Sequence, residues 1–148
     1  MIRCFASSDL YRILEIEHQS FPKSPYHSIT FINLYHLYSE TFWVYADTTP
    51  DQKEGQIWGY IIFSKDGHII SIAIHPHRRR RDIGKELLER AMDYLQPKKV
   101  WAEVRKSNQG AQAFYLHMGF QIIETVPNYY ENEDALIVQW IPSGPKSH

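Results

Sequence analysis

Strands and helices alternate along this 148-residue chain, which predicts an α/β fold with a mixed, mostly antiparallel sheet. Three observations carry that expectation. The apolar run Ile69-Ile70-Ser71-Ile72-Ala73-Ile74 feeds a short basic turn and then the amphipathic segment Lys85-Glu86-Leu87-Leu88-Glu89-Arg90-Ala91-Met92. Val100 to Val104 alternates apolar and polar residues and is followed by a helical pattern that stops at Gly119. Asp66-Gly67, between two apolar runs, signals a hairpin and so an antiparallel pair.

The elements follow in order. A first strand covers about Ile2 to Phe5, and Ser8 is placed to cap a helix with Leu10, Ile13, Leu14 and Ile16 on one face. Pro22 and Pro25 break the chain before a second helix over Ile29 to Tyr38. Phe42 to Ala46 reads as a strand, Thr48 to Gly55 as a polar loop and Trp58 to Ser64 as the next strand. Strand His68 to Ile74 leads into the basic turn and its helix. Asn108 is a good N-cap, and Ala111, Phe114, Tyr115 and Met118 recur at helical spacing. Strands Phe120 to Val126 and Ala135 to Trp140 close a β-α-α-β-β-β-α-β-α-β-β order.

The length suits one domain, expected over 1–141, with 142–148 as a frayed tail. A hydrophobic content of 43% supplies a packed core. The single cysteine, Cys4, excludes an internal disulfide and permits a cytoplasmic setting. No apolar run reaches the roughly 20 residues that a membrane span needs, so no membrane partner is expected. With 16 Lys+Arg against 17 Asp+Glu the net charge is −1, which argues against the broad basic field of a nucleic-acid binder.

The basic turn stands out against that balance. Arg79-Arg80-Arg81-Asp82-Ile83-Gly84 sits between a strand and a helix start. Backbone N–H groups at a helix N-terminus are unpaired, and the helix dipole favours negative charge there. Arginines beside such a turn add charge for phosphates. A phosphorylated cofactor held by the Arg79 to Lys85 turn is the natural ligand.

This turn resembles the acyl-CoA-binding motif of the GNAT superfamily of N-acetyltransferases, Gln/Arg-x-x-Gly-x-Gly/Ala after a strand. Arg79 fills the first position and Gly84 the last. Asp82 stands where the first glycine is expected, and aspartate tolerates unusual backbone angles better than most residues. Downstream, Glu103-Val104-Arg105, Ser107-Asn108, Phe114-Tyr115 and Gly119-Phe120 are similar to the second GNAT signature. With Ile16 to Pro22, Asn128-Tyr129-Tyr130 and Glu133-Asp134-Ala135, they resemble the RimI type, the ribosomal-protein-alanine and related protein N-terminal acetyltransferases. The likeness runs from about Ile2 to Trp140 and is patchiest at Ser39 to Ile57 and at Asp82.

The resemblance implies a GNAT-like sheet with splayed central strands, acetyl-CoA as cosubstrate, no metal, and a peptide or protein N-terminus as acceptor. Ile72, Ala73 and Ile74 would offer backbone groups to the pantetheine arm. Arg79, Arg80, Arg81, Asp82, Ile83, Gly84 and Lys85 would cradle the phosphates, and Asn108, besides capping its helix, would touch the cofactor. Glu103, a carboxylate on a strand with buried neighbours, is the candidate base; an ordinary carboxylate paired with Arg105 is the competing reading. Tyr115 is the candidate acid for the departing thiolate, against a core tyrosine with an internal partner. Phe21, Pro22 and Tyr26 before the second helix, and Tyr129 and Tyr130 between the last strands, would line the peptide entrance or else anchor their loops to the core.

His75 and His77, around Pro76, read as loop histidines, since no cysteine or carboxylate motif joins them as metal ligands. Transfer to an α-amine leads, because an α-amine of pKa about 7.7–8.0 is far more often neutral at pH 7 than a lysine near 10.4. Transfer to a polyamine, amino acid or aminoglycoside is the alternative, and a non-catalytic CoA-binding or nucleic-acid-binding module stands behind both.

Overall fold

The computed structural model describes residues 1–47, 56–79 and 82–142. The expected order of strands and helices holds: β1 (Ile2–Cys4), α1 (Leu10–Ser20), α2 (Ser28–Leu37), β2 (Phe42–Asp47), β3 (Gln56–Phe63), β4 (Ile69–Ile74), α3 (Ile83–Leu95), β5 (Val100–Arg105), α4 (Gln109–His117), β6 (Gln121–Tyr130) and β7 (Glu133–Trp140). The polar loop at 48–55, Arg80, Arg81 and the tail from 143 lie outside the described residues. The chain forms two compact units, one of Met1–Lys65 with Ile70–Tyr94, the other of Asp66–Ile69 with the chain from Leu95 onward.

In the first unit the strands pair in the order β1-β2-β3-β4. Antiparallel register sets Phe42 against Ile62 and Val44 against Tyr60. Alternation sends Phe42, Val44 and Ala46 to one face, where they meet Ile13, Ile16 and Phe31 of the first two helices. On the other face Trp43 packs edge-on against Tyr94 of α3, with ring centroids 5.4 Å apart. Cover on both faces explains the unbroken apolar run Ile61-Ile62-Phe63, all fully buried. Gly59 lets β4 and α3 come close: a Cβ there would lie 2.7 Å from Ile74 Cδ1 and 3.3 Å from Ile83 Cγ2.

The start of α1 differs from expectation. Ser8 does not cap it; Ser7–Asp9 forms a 3-10 turn and the helix begins at Leu10. Asp9 organises this corner instead, accepting 2.8 and 3.0 Å hydrogen bonds from Arg3 and one of 2.8 Å from the Ala6 N–H. The charge-assisted bonds from Arg3 and the bond from the Ala6 amide favour the 3-10 turn here over a helix start at Ser8.

In the second unit β7 lies between β5 and β6, both antiparallel to it. Val100, Ala102 and Val104 are buried, so Trp101, Glu103 and Arg105 share the opposite face of β5. Asn108 caps α4 as expected, its Oδ1 accepting the Ala111 N–H at 3.0 Å. Gly119 ends the helix with φ 91°. Strand β6 runs on past Val126 to Tyr130, so Tyr129 and Tyr130 are strand residues rather than loop residues. Pro127 is tolerated because β6 is the edge of its sheet. Asn128, at φ 53°, carries the register irregularity between Val126 and Tyr130.

Candidate active site

The second unit gathers a group of side chains around Glu103. Gly67 makes this possible. It holds φ 104°, and a Cβ there would lie 2.1 Å from the Lys99 carbonyl oxygen. Its own carbonyl accepts the Trp101 N–H at 3.0 Å. His68 is thereby bridged to Trp101 in parallel, with the two rings stacked 5.2 Å apart at 4°. Two residues along β5 on the same face, Glu103 receives His68: Nε2 lies 2.9 Å from both carboxylate oxygens. The pair is partly open, with side-chain exposures of 30% and 18%.

Tyr129 donates its hydroxyl to Glu103 Oε1 at 3.3 Å. Partial burial and then the Glu103 charge raise the Tyr129 phenol above its ordinary range. Tyr130 packs against Tyr129 with centroids 5.0 Å apart. The Arg105 guanidinium lies 4.1 Å from the Tyr130 ring centroid and bonds Glu133 at 3.0 Å. Arg105 is therefore tied to Glu133, and Glu103 is held by His68 and Tyr129.

Tyr115 sits on α4 with 4% exposure, its ring 5.1 Å from Phe120. Burial raises its phenol far above the usual range, and the charges of Glu103 and Tyr130 push the same way. The hydroxyl stays protonated throughout the physiological range. Asn108 acts through its cap, which fixes the start of the helix that carries Tyr115.

The first unit holds the other expected residues. Ile72, Ala73 and Ile74 lie on β4, the edge of the four-stranded sheet, where a strand-like ligand would find main-chain groups. Arg79 braces the turn that follows, its Nε donating to the Ile74 carbonyl at 3.1 Å and an Nη to Ser20 Oγ at 3.0 Å. Asp82 takes the left-handed conformation, φ 62°, that the motif's glycine would supply, and its carbonyl accepts the Glu86 N–H at 2.9 Å. Ile83, buried, and Gly84 open α3, whose first-turn amides have no partner within the helix. Lys85 lies 4.0 Å from Glu89 along the helix. This backbone fits an anionic group such as a pyrophosphate. Arg80 and Arg81 lie outside the described residues.

His75, buried, braces the same turn. Its Nδ1 accepts the His77 N–H at 3.1 Å, and its ring meets Trp58 edge-on at 5.3 Å. Burial, then the Arg12 charge, lowers its pKa, which keeps Nδ1 an acceptor at neutral pH. Among the described residues no group of histidines, cysteines and carboxylates could hold a metal.

In the segment between the first two helices, Phe21 and Tyr26 are half-buried against the first unit's core, the Tyr26 ring 5.7 Å from Phe31, while Pro22 is exposed. His68 is a candidate site residue that the sequence pattern alone did not single out. Its signals were the Asp66-Gly67 turn, which fixes where β4 starts, and the period-2 pattern that puts Trp101 and Glu103 on one face.

Comparison with known proteins agrees with this fold. Residues 8–120 match the Acetyltransferase (GNAT) family. A Bacillus subtilis protein, provisionally named a ribosomal protein bS18-alanine N-acetyltransferase, is 34% identical over 95% of this chain and 93% of its own length. An N-alpha-acetyltransferase of Sulfurisphaera tokodaii is 29% identical over 93% of this chain and 90% of its own. The crystal structure of Ard1 from Thermoplasma volcanium superposes with a TM-score of 0.84 at 26% identity, over 97% of this chain and 98% of that one. A likeness that runs from the first helix through the basic turn to the Gly119-Phe120 junction, and holds at the level of the fold, makes this chain a member of the GNAT family and an acetyl-CoA-dependent N-acetyltransferase.

Proposed function

We propose that the enzyme acetylates the α-amine of protein N-termini, with the His68–Glu103 pair as the base and Tyr115 as the acid. The observation that carries this reading is His68 Nε2 at 2.9 Å from both Glu103 oxygens beside the Tyr129 hydroxyl. An imidazole hydrogen-bonded to a carboxylate is a proton-accepting pair, and an α-amine needs to lose a proton only about one unit above pH 7. The names of the Bacillus and Sulfurisphaera relatives support the same acceptor class.

Acetyl-CoA supplies an acyl thioester whose sulfur departs as a thiolate. The Arg79–Lys85 turn binds its pyrophosphate, and the open edge of β4 at Ile72–Ile74 binds its amide-bearing arm. The His68–Glu103 pair takes the proton that the amine gives up as its nitrogen bonds the acyl carbon. Tyr115 gives its hydroxyl proton to the sulfur as the carbon–sulfur bond breaks and regains one from solvent, to which the His68–Glu103 pair releases the proton taken from the amine. In the second unit Tyr129, which bonds Glu103, and Tyr130, packed on Tyr129, are the acceptor contacts, and in the first unit they are Phe21, Pro22 and Tyr26. A cytoplasmic location suits the exposed free thiol of Cys4.

The test is a competition assay read by mass spectrometry, with alanine-first peptides, the same peptides blocked at the α-amine but containing lysine, and spermidine. Free peptides are expected to outcompete both comparators at pH 7. Efficient acetylation of blocked peptides, or of spermidine over every peptide, would overturn the N-terminal reading.

A further inference from the structure

A second glutamate, far better buried than Glu103, takes no part in the chemistry above. Glu17 lies in the last turn of α1 with 2% exposure. It holds the segment 21–26 at both ends. Its main-chain carbonyl accepts the Phe21 N–H at 2.8 Å, and its side-chain Oε2 accepts the Tyr26 N–H at 2.9 Å. Oε1 receives the hydroxyl of Tyr60 on β3, and that hydroxyl lies 2.8 Å from Ser71 Oγ on β4. One carboxyl group thus joins a helix end, a loop and two strands.

We infer that Glu17 is a positioning residue for the acceptor, clamping the Phe21–Tyr26 loop in its peptide-binding form. The inference rests on the proposed role of that loop. A carboxyl buried to this degree costs desolvation, and an apolar side chain of similar size would avoid that cost. What the apolar side chain lacks is an acceptor for the Tyr26 amide. A loop fixed before binding loses less entropy when a peptide docks, so the clamp appears in acceptor affinity rather than in the chemical step. Burial raises the Glu17 pKa against the opposing pull of the Tyr26 and Tyr60 hydrogen bonds and of the His18 charge. A protonated Glu17 keeps the network too, with Tyr60 turning its hydroxyl toward Ser71.

The experiment compares Glu17→Ala, Glu17→Gln, Tyr60→Phe and Phe21→Ala with wild type, using an alanine-first peptide and acetyl-CoA. Glu17→Ala should raise the peptide KM about tenfold, as expected for a lost buried hydrogen bond, with kcat and the acetyl-CoA KM within about twofold. Glu17→Gln should restore the KM, since its amide oxygen accepts from Tyr26 and its NH2 donates to Tyr60. Tyr60→Phe leaves the Tyr26 bond and should give a smaller KM rise. Hydrogen exchange at the Tyr26 amide, expected to quicken in Glu17→Ala, reads the clamp without turnover and serves also where that variant is weakly folded. An unchanged peptide KM in Glu17→Ala, or an equal loss in kcat and both KM values that Glu17→Gln does not repair, overturns the clamp. If Phe21→Ala raises the peptide KM while Glu17→Ala does not, the clamp fails and the loop's role stands. If Phe21→Ala leaves the KM unchanged, the loop does not bind the acceptor and the clamp falls with it.

Discussion

Glu17 and Glu103 make the same kind of contact in opposite surroundings. Each accepts a tyrosine hydroxyl, Glu17 from Tyr60 and Glu103 from Tyr129. Glu17 is sealed at 2% exposure, and its remaining acceptor capacity goes to a main-chain amide. Glu103 keeps 18% side-chain exposure, and its other partner is an imidazole. A carboxyl satisfied by fixed donors in a dry site holds the backbone in place. A carboxylate at the edge of solvent, paired with a group that itself titrates, can pass a proton. Exposure and partner type, rather than residue type, separate the structural role from the chemical one.

The largest expected effect tests the chemical half. Glu103→Gln should lower kcat on the order of 10²–10⁴-fold while acetyl-CoA affinity holds, because the amide fills the same space but takes no proton. His68→Gln should lower kcat about 10²-fold, and the double variant should fall little further than Glu103→Gln alone, since the two act as one base. Fully multiplicative losses would mean that they act separately. A wild-type rate for Glu103→Gln with a confirmed acceptor would erase the contrast between the two glutamates.

Tyr115→Phe comes next. Burial keeps the Tyr115 hydroxyl protonated, and it has no hydrogen-bond partner among the described residues, so its removal should cost turnover and little stability. A kcat loss on the order of 10- to 10²-fold is expected, with the melting temperature within about 2 °C. An unchanged rate with lowered stability would return Tyr115 to the core-aromatic reading.

The structural half is read from stability against pH. Burial raises the Glu17 pKa above its ordinary value of 4.5. As pH rises, the unfolded chain therefore loses this proton first. The stability it contributes is full below about 4.5 and drains away as pH climbs through the folded-state value. Glu17→Gln removes that titration. Wild type should thus lose ground relative to Glu17→Gln between pH 4 and pH 8, at about 2–4 °C of melting temperature per kcal/mol. A difference that stays flat, or runs the other way, would show that the wild-type carboxyl is charged at no net cost and would blur the comparison with Glu103.

How far this contrast was legible in the sequence follows from what each residue depends on. The order of elements, the Asn108 cap and the Gly119 stop were readable because turn chemistry and periodicity are local. Glu103 and Tyr115 were singled out by pattern and resemblance, and the structure puts Tyr129 beside Glu103 and Tyr130 against Tyr129. His68 was missed because its pairing joins positions 35 residues apart, brought together by a glycine turn and a single bridge. Glu17 was missed for a similar reason: one carboxyl on an amphipathic helix looks solvated until Tyr60, 43 residues on, arrives opposite it. Ser8 was misread because a local cap signal lost to the pairing of Arg3 with the buried Asp9. The end of β6 was misread because Pro127 is harmless only on an edge strand, and edges are a property of the sheet.

A third carboxylate, Asp82, belongs to neither pattern and carries the smallest expected effect. It is exposed, sits in the turn proposed to hold the pyrophosphate, and has φ 62°, where a side chain costs on the order of 1 kcal/mol that glycine avoids. Against that, an acidic side chain at the start of a helix gains about 0.3–1 kcal/mol from the dipole. The two terms nearly cancel, so Asp82→Gly should change stability by less than about 1 kcal/mol. Acetyl-CoA affinity should hold or improve, since a negative charge leaves the neighbourhood of the phosphates. Asp82→Ala removes the same charge but keeps the backbone cost, so the two variants separate the causes. Titration calorimetry at two salt concentrations decides between them. Improvement in both variants, strongest at low salt, assigns the effect to charge, and improvement in glycine alone assigns it to the backbone. A large loss of affinity in both would show that the Asp82 carboxylate holds the turn together, as Glu17 is proposed to hold its loop, and would move it to the structural side of the comparison.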